Sequence, residues 1–186
     1  MSRERFHAFV QHALLSLPQL LKLLLRIAED PAFSDGCRVA AAASVVHWLA
    51  AANTIKNQKG VLSYLDDVLV LYLALEKLDA EAPKEMERYH EDTPDILAEL
   101  DEALALIRQR LGSDVVLLER ALQKMEKLRF KGRTAAQSVQ SEEVSNWFYD
   151  EVQSALVDLD LEEDEVARAV KGVDASLDSI GDPKVR

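Results

Sequence analysis

The sequence predicts an all-α fold, a bundle of six to seven helices, on two observations. Ala, Leu, Glu and Lys are abundant, whereas the 186 residues include only six Gly and five Pro, a balance that favours helix. Apolar residues recur at helical spacing along most of the chain, and no segment alternates as a strand would. With 48% hydrophobic and 30% charged residues, the composition is typical of a folded soluble protein rather than a disordered one.

Three strongly apolar helices are predicted in the N-terminal region, residues 1–80. They span residues 3–28, 37–55 and 61–78. In the first, Pro18 either kinks the helix or starts a second one, because proline lacks the N–H that continues the backbone hydrogen bonds. The third is apolar all round except near its ends, which is typical of a buried helix. We expect these helices to pack as one antiparallel cluster.

The C-terminal region, residues 81–186, is amphipathic and acidic. Its predicted helices span residues 94–111, 113–128, 141–159 and 163–180. Each has apolar residues on one face, which favours packing against a neighbour. Residues 79–92 are mostly polar and predict a linker or a short exposed helix, and residues 133–140 predict a loop. We expect this region to pack on the first.

The net charge of −11 is concentrated in the second part of the chain. Residues 1–78 carry 8 basic and 7 acidic side chains, whereas residues 79–186 carry 14 and 26. An acidic surface of this strength repels nucleic-acid phosphates, so we do not expect DNA or RNA binding. A protein partner with a basic surface fits this charge better, and self-association is a further option.

Targeting signals are weak in this sequence. Pro18 and Lys22 interrupt the apolar run over residues 13–25, and no small-residue cleavage site follows it. No apolar run reaches the roughly 18–20 residues of a membrane span. The single Cys37 cannot form a disulfide within the chain, which favours a reducing compartment. We therefore expect a cytoplasmic protein.

Three features of residues 20–78 occur together. An apolar helix ends at Asp30-Pro31, an Ala-rich helix follows over residues 39–52, and Ser63-Tyr64-Leu65-Asp66-Asp67 opens the next apolar helix. This combination resembles the YkvA-like family, a small bacterial helical domain of unknown function whose corresponding helix begins GYLDD. The family's SPIDLIPD stretch falls by spacing on residues 50–57, where both prolines are absent and amides replace both acids. The resemblance implies a bacterial helical domain and no particular activity.

Asp66 and Asp67 are the first candidates for chemistry, because two adjacent carboxylates open an apolar helix. Helix capping is the favoured interpretation, since Ser63 and Asp66 have the outline of a capping box and the first helical turn attracts anions. The alternative is a polar pocket formed by these acids with Asn53 and Asn57. These oxygens are too few for a convincing metal site, and we predict no metal and no cofactor.

Histidines offer little support for catalysis. His47 lies in the Ala-rich helix. A histidine in such a helix is more often hydrogen-bonded between helices than used as a general base. No serine is flanked by the glycines of a nucleophile elbow, and no Gly-rich phosphate loop occurs. We therefore predict a protein that is not an enzyme.

Two surface candidates lie in the C-terminal region. One is a basic cluster, which predicts an anion-binding patch for phosphate or anionic lipid, with cations at a helix C-terminus as the alternative. It comprises Lys124, Lys127, Arg129, Lys131 and Arg133. The other is a partner-binding surface, predicted because three consecutive aromatics point to different sides of one helix and acids follow them. Its residues are Trp147, Tyr149, Asp150 and Glu151.

The function predicted from these observations is a non-enzymatic helical module that binds another protein through its acidic and aromatic C-terminal half. The first alternative is a peripheral membrane protein whose Leu-rich helix, residues 14–25, lies in the interface. The polar face of that helix is narrow, with Gln19, Lys22 and Arg26 alone, so this alternative ranks second. An enzyme or ligand-binding protein that uses Asp66 and Asp67 ranks third.

Overall fold

The computed structural model of the protein describes residues 3–52, 54–55 and 58–178. Within these residues the chain is helical and contains no β-strand, which confirms the predicted all-α fold. The helices are α1 (Arg3–Leu15), α2 (Leu17–Glu29), α3 (Asp35–Leu49), α4 (Leu65–Glu81), α5 (Pro83–Asp92), α6 (Pro94–Leu97), α7 (Leu100–Leu111), α8 (Val115–Lys124), α9 (Ala135–Gln140), α10 (Glu142–Val157), α11 (Glu163–Val170) and α12 (Val173–Asp178). They are shorter and more numerous than predicted.

The core is built around α4, which has apolar side chains on every side. Helices α1 and α3 pack against it from the N-terminal region, and α7 and α8 pack against it from the C-terminal region. Further contacts join α3 to α9 and α1 to α11. The two regions therefore share one hydrophobic core, as expected for a helix that is apolar all round.

Pro18 starts a new helix. It lies at the start of α2, where its missing N–H leaves no backbone hydrogen bond unmade, and α1 and α2 are bent by 62°. In the described part of the chain, no single helix has the length and hydropathy of a membrane span. Taken together as a bent pair, α1 and α2 have the length and hydropathy of such a span. Of their leucines, Leu15 is partly buried and the others are buried in the core: Leu14, Leu17, Leu20, Leu21, Leu23, Leu24 and Leu25.

The connection between α3 and α4 differs from the prediction. Helix α3 ends at Leu49 rather than at residue 55, and Ala51 adopts the left-handed conformation with φ 46°. A 3₁₀ turn over Gly60–Tyr64 then precedes α4. The predicted capping box is wrong, because the Ser63 hydroxyl donates to the carbonyl of Gly60 at 2.7 Å.

One segment predicted as a loop and one predicted as a linker or a short exposed helix are both largely helical. Residues 133–140 contain α9, which a capping box between Thr134 and Gln137 begins, so the predicted loop is wrong. Residues 79–92 contain α5, whose Met86 and Tyr89 are buried. The predicted last helix is divided into α11 and α12 by a turn at Gly172.

Candidate functional site

A buried polar cluster lies where α3 packs against the first turn of α4. Asp67 Oδ1 is 3.0 Å from His47 Nδ1, and the two side chains are only 3% and 2% exposed. The Ala-rich α3 presents small side chains next to His47, which lets the two helices approach closely enough for this contact. The sequence interpretation of His47 as a hydrogen-bonded histidine between helices is confirmed.

Asp66 connects α4 to the preceding loop. Its Oδ2 accepts the backbone N–H of Thr54 and also that of Ile55, the latter at 3.4 Å. No side-chain capping bond occurs at the start of α4, so the capping bond predicted there is wrong, whereas the predicted place of the two acids in the first helical turn is confirmed. The physical reason is that α4 is buried on all sides, and its first turn therefore faces other protein segments instead of water.

Burial governs the protonation of both acids. Desolvation and, to a lesser extent, the neighbouring Asp67 carboxylate raise the pKa of Asp66 to about 6, while the Thr54 N–H opposes the shift. Desolvation also raises the pKa of Asp67, and the hydrogen bond with His47 opposes this. Two atoms of the cluster, Asp66 Oδ1 and His47 Nε2, are buried without a hydrogen-bond partner among the described residues.

The chemistry open to this cluster is limited by access. A histidine oriented by an aspartate resembles the base of a catalytic triad, but the His47 ring is only 2% exposed. Asn53 and Asn57, the other members of the predicted polar pocket, lie outside the described residues, so the pocket stays a prediction. Across the described ranges, no group of three or more His, Cys, Asp and Glu side chains is placed to hold a metal ion.

The structure brings the basic cluster and part of the partner-binding surface together. Lys131 Nζ lies 2.6 Å from Glu151 Oε2, and the Arg133 guanidinium lies 4.4 Å from the centroid of the Trp147 ring. Trp147 also contacts Phe130, with ring centroids 6.1 Å apart. These intramolecular contacts occupy two residues of each predicted site. The remaining basic side chains of the cluster are exposed: Lys124, Lys127 and Arg129.

The outer side of α10 is the most exposed part of the predicted partner-binding surface. Tyr149 is 43% exposed and Asp150 is also exposed. Val157, at the end of the same helix, is 85% exposed. Sequence reasoning missed Val157, although its position seven residues after Asp150 places both on one side of a helix. We call Tyr149, Asp150 and Val157 the α10 face.

Comparison of the chain with protein-family models, with curated proteins and with solved structures gives no match. The resemblance of residues 20–78 to the YkvA-like family therefore stays a prediction.

Proposed function

We propose that this protein is a helical interaction module that binds a basic partner protein through the α10 face and the acidic segment around it. The observation that carries this proposal is the 85% exposure of Val157. An apolar side chain so exposed gains from burial against a partner, and Tyr149, about two turns earlier on the same helix, supplies an aromatic contact of the kind that is enriched in interfaces. A cytoplasmic location is part of this proposal.

The charge of the surrounding segment specifies the partner. Residues 141–165 contain ten acidic side chains and no basic one. Among the described residues, Glu151 alone of these ten forms an ion pair within the protein. The other acids are free to attract a basic surface, and complementary charge of this kind raises the rate of association and selects the partner.

The alternatives have less support in the described residues. A membrane-bound form would need the leucines of α1 and α2 at the bilayer, but these side chains lie in the core together with α3 and α4. A catalytic use of His47 would need access to a ring that is 2% exposed. Both would require the helices around α4 to separate.

The test is capture of the partner with matched variants. The tagged protein and its Val157→Ser, Asp150→Lys, Val116→Ser and Asp101→Lys variants are used in parallel purifications from native cells. Val116 and Asp101 are exposed on α8 and α7, so their variants control for changes in hydropathy and charge elsewhere. We expect one stoichiometric protein partner, lost with either α10 variant and retained with both controls. The purified complex should also weaken as salt rises.

Two outcomes would contradict the proposal. One is a partner captured equally by the α10 variants and by the wild type, which would place the interface elsewhere. The other is recovery from membranes without a protein partner, which would favour the Leu-rich helices instead.

A further inference from the structure

A second site is indicated by a cavity between α1, α4 and the α6–α7 segment. Its volume is about 250 Å³. Apolar side chains form much of its wall, among them Phe9, Ile96 and Leu106, and the Tyr72 ring lies against Phe9 with the ring centroids 5.2 Å apart. A cavity of this size is smaller than a typical site for a drug-sized ligand, so it suits a compact molecule.

The Tyr72 hydroxyl is an unused polar group at this cavity. Tyr72 is 2% exposed, and no hydrogen-bond partner for its hydroxyl occurs among the described residues. The hydroxyl is not one of the enclosed polar atoms without a partner, so it keeps some accessible surface, and Tyr72 is one of the residues that line the cavity. A phenol held in an apolar wall without a partner is costly unless something can hydrogen-bond to it.

The rim of the cavity is acidic. Asp95, Glu99 and Glu102 line it together with Arg5 and His12. Arg5 forms an ion pair with Glu102, which leaves two carboxylates without an ion-pair partner among the described residues. Burial and, to a lesser extent, the charge of nearby Glu99 raise the pKa of the Tyr72 hydroxyl to about 12. The hydroxyl therefore stays protonated at neutral pH, next to a negative charge.

We propose that this cavity binds a small primary amine in its ammonium form. The apolar part of the ligand lies against Phe9, Ile96 and Leu106, and the ammonium group lies between the Tyr72 hydroxyl and the Glu99 carboxylate. An ammonium donates up to three hydrogen bonds and accepts none, so it matches a phenolic oxygen beside a carboxylate. This site is separate from the α10 face, and its occupancy does not depend on the proposed partner.

The test compares three probes that share one apolar chain: n-butylamine, 1-butanol and butyrate. Each is titrated at pH 7 into the ¹⁵N-labelled full-length protein, and amide shifts are followed by NMR. We expect saturable shifts at Tyr72 and Ala103 with butylammonium, and about tenfold weaker binding of butanol, which lacks the charge-assisted hydrogen bond. Butyrate should give no saturable shift, because the rim repels it.

Variants then identify the groups responsible. Glu99→Gln should weaken butylammonium binding by about tenfold and leave butanol binding unchanged, whereas the control Glu143→Gln on exposed α10 should change neither. Tyr72→Phe should weaken butylammonium binding as well. Since Glu99 is exposed, its variant decides the question even if Tyr72→Phe fails to fold. Equal binding of butanol and butylammonium, no effect of Glu99→Gln, or no saturation with any probe would overturn the proposal.

Discussion

Helices α4 and α10 are nearly equal in length but differ greatly in burial. Helix α4 buries twelve of its 17 residues, whereas α10 buries two of its 16, Phe148 and Val152. Helix α4 is held by packing on all sides, and almost any change in it disturbs a neighbour. Helix α10 is attached by a narrow apolar stripe, which leaves its outer side exposed to solvent.

The same difference separates two pairs of polar side chains. His47 and Asp67 are at most 3% exposed, whereas Lys131 and Glu151 are 59% and 21% exposed. Water and salt screen the second pair, and its contribution to stability is small. The first pair has no such screening, so removal of one partner leaves a polar group buried without compensation.

The largest expected effect follows from breaking the buried pair. Asp67→Ala should lower the free energy of unfolding by about 3–5 kcal/mol, because His47 Nδ1 loses its partner in the core. Urea unfolding followed by circular dichroism measures this, with Asp150→Ala as the exposed control. A loss below about 1 kcal/mol would mean that the cluster does not stabilise the α3–α4 contact.

A somewhat smaller effect is expected from the protonation of Asp66. Its pKa in the folded protein is about 6, above the ordinary value of 3.8, so the folded state holds the proton more tightly. The resulting stabilisation is present below pH 4 and is lost as the pH rises to 6. Asp66→Asn carries no charge at any pH. Relative to the wild type, the variant should therefore gain up to about 3 kcal/mol of stability between pH 4 and 7.

Unfolding of the wild type and Asp66→Asn at a series of pH values tests this. The pKa of Asp174 is lowered to about 2 by His7 and nearby arginines. Its titration therefore changes the stability only below pH 4, and by the same amount in both proteins. A stability difference that is constant between pH 4 and 7 would contradict a raised pKa for Asp66.

The smallest effect is expected for the exposed pair. A double-mutant cycle with Lys131→Ala and Glu151→Ala should give a coupling energy below about 1 kcal/mol, and added salt should reduce it. The same cycle on His47 and Asp67 provides the comparison. Equal coupling energies in the two cycles would contradict the expected difference between the buried pair and the exposed pair.

The sequence was sufficient to predict the all-α class, the burial of α4 and the start of α10, where Ser141 caps the helix by accepting the Val144 N–H at 3.5 Å. These features depend on local composition and spacing. The helix at residues 135–140 was also foreseeable, because Thr134 and Gln137 have the spacing of a capping box. This segment was predicted as a loop because its composition is polar.

Other features depend on contacts between distant parts of the chain. Residues 50–52 are alanines, the best helix formers, yet α3 ends before them, and Asp66 from α4 binds the backbone N–H groups of Thr54 and Ile55. The contact between His47 and Asp67 likewise requires the packing of two helices. No periodicity in one segment encodes these pairings, and the favourable propensity of a few alanines is too weak to oppose them.

Because α4 is buried on all sides, it depends on helices that are synthesised after it. The ribosome releases α4 before α7 and α8, the helices that cover part of its surface. Until they emerge, part of the apolar surface of α4 is exposed on the nascent chain, and such exposure favours aggregation. We expect residues 1–82 alone to aggregate, which sedimentation of that fragment beside the full chain would reveal; a soluble, monomeric fragment would show that the N-terminal helices close over α4 unaided.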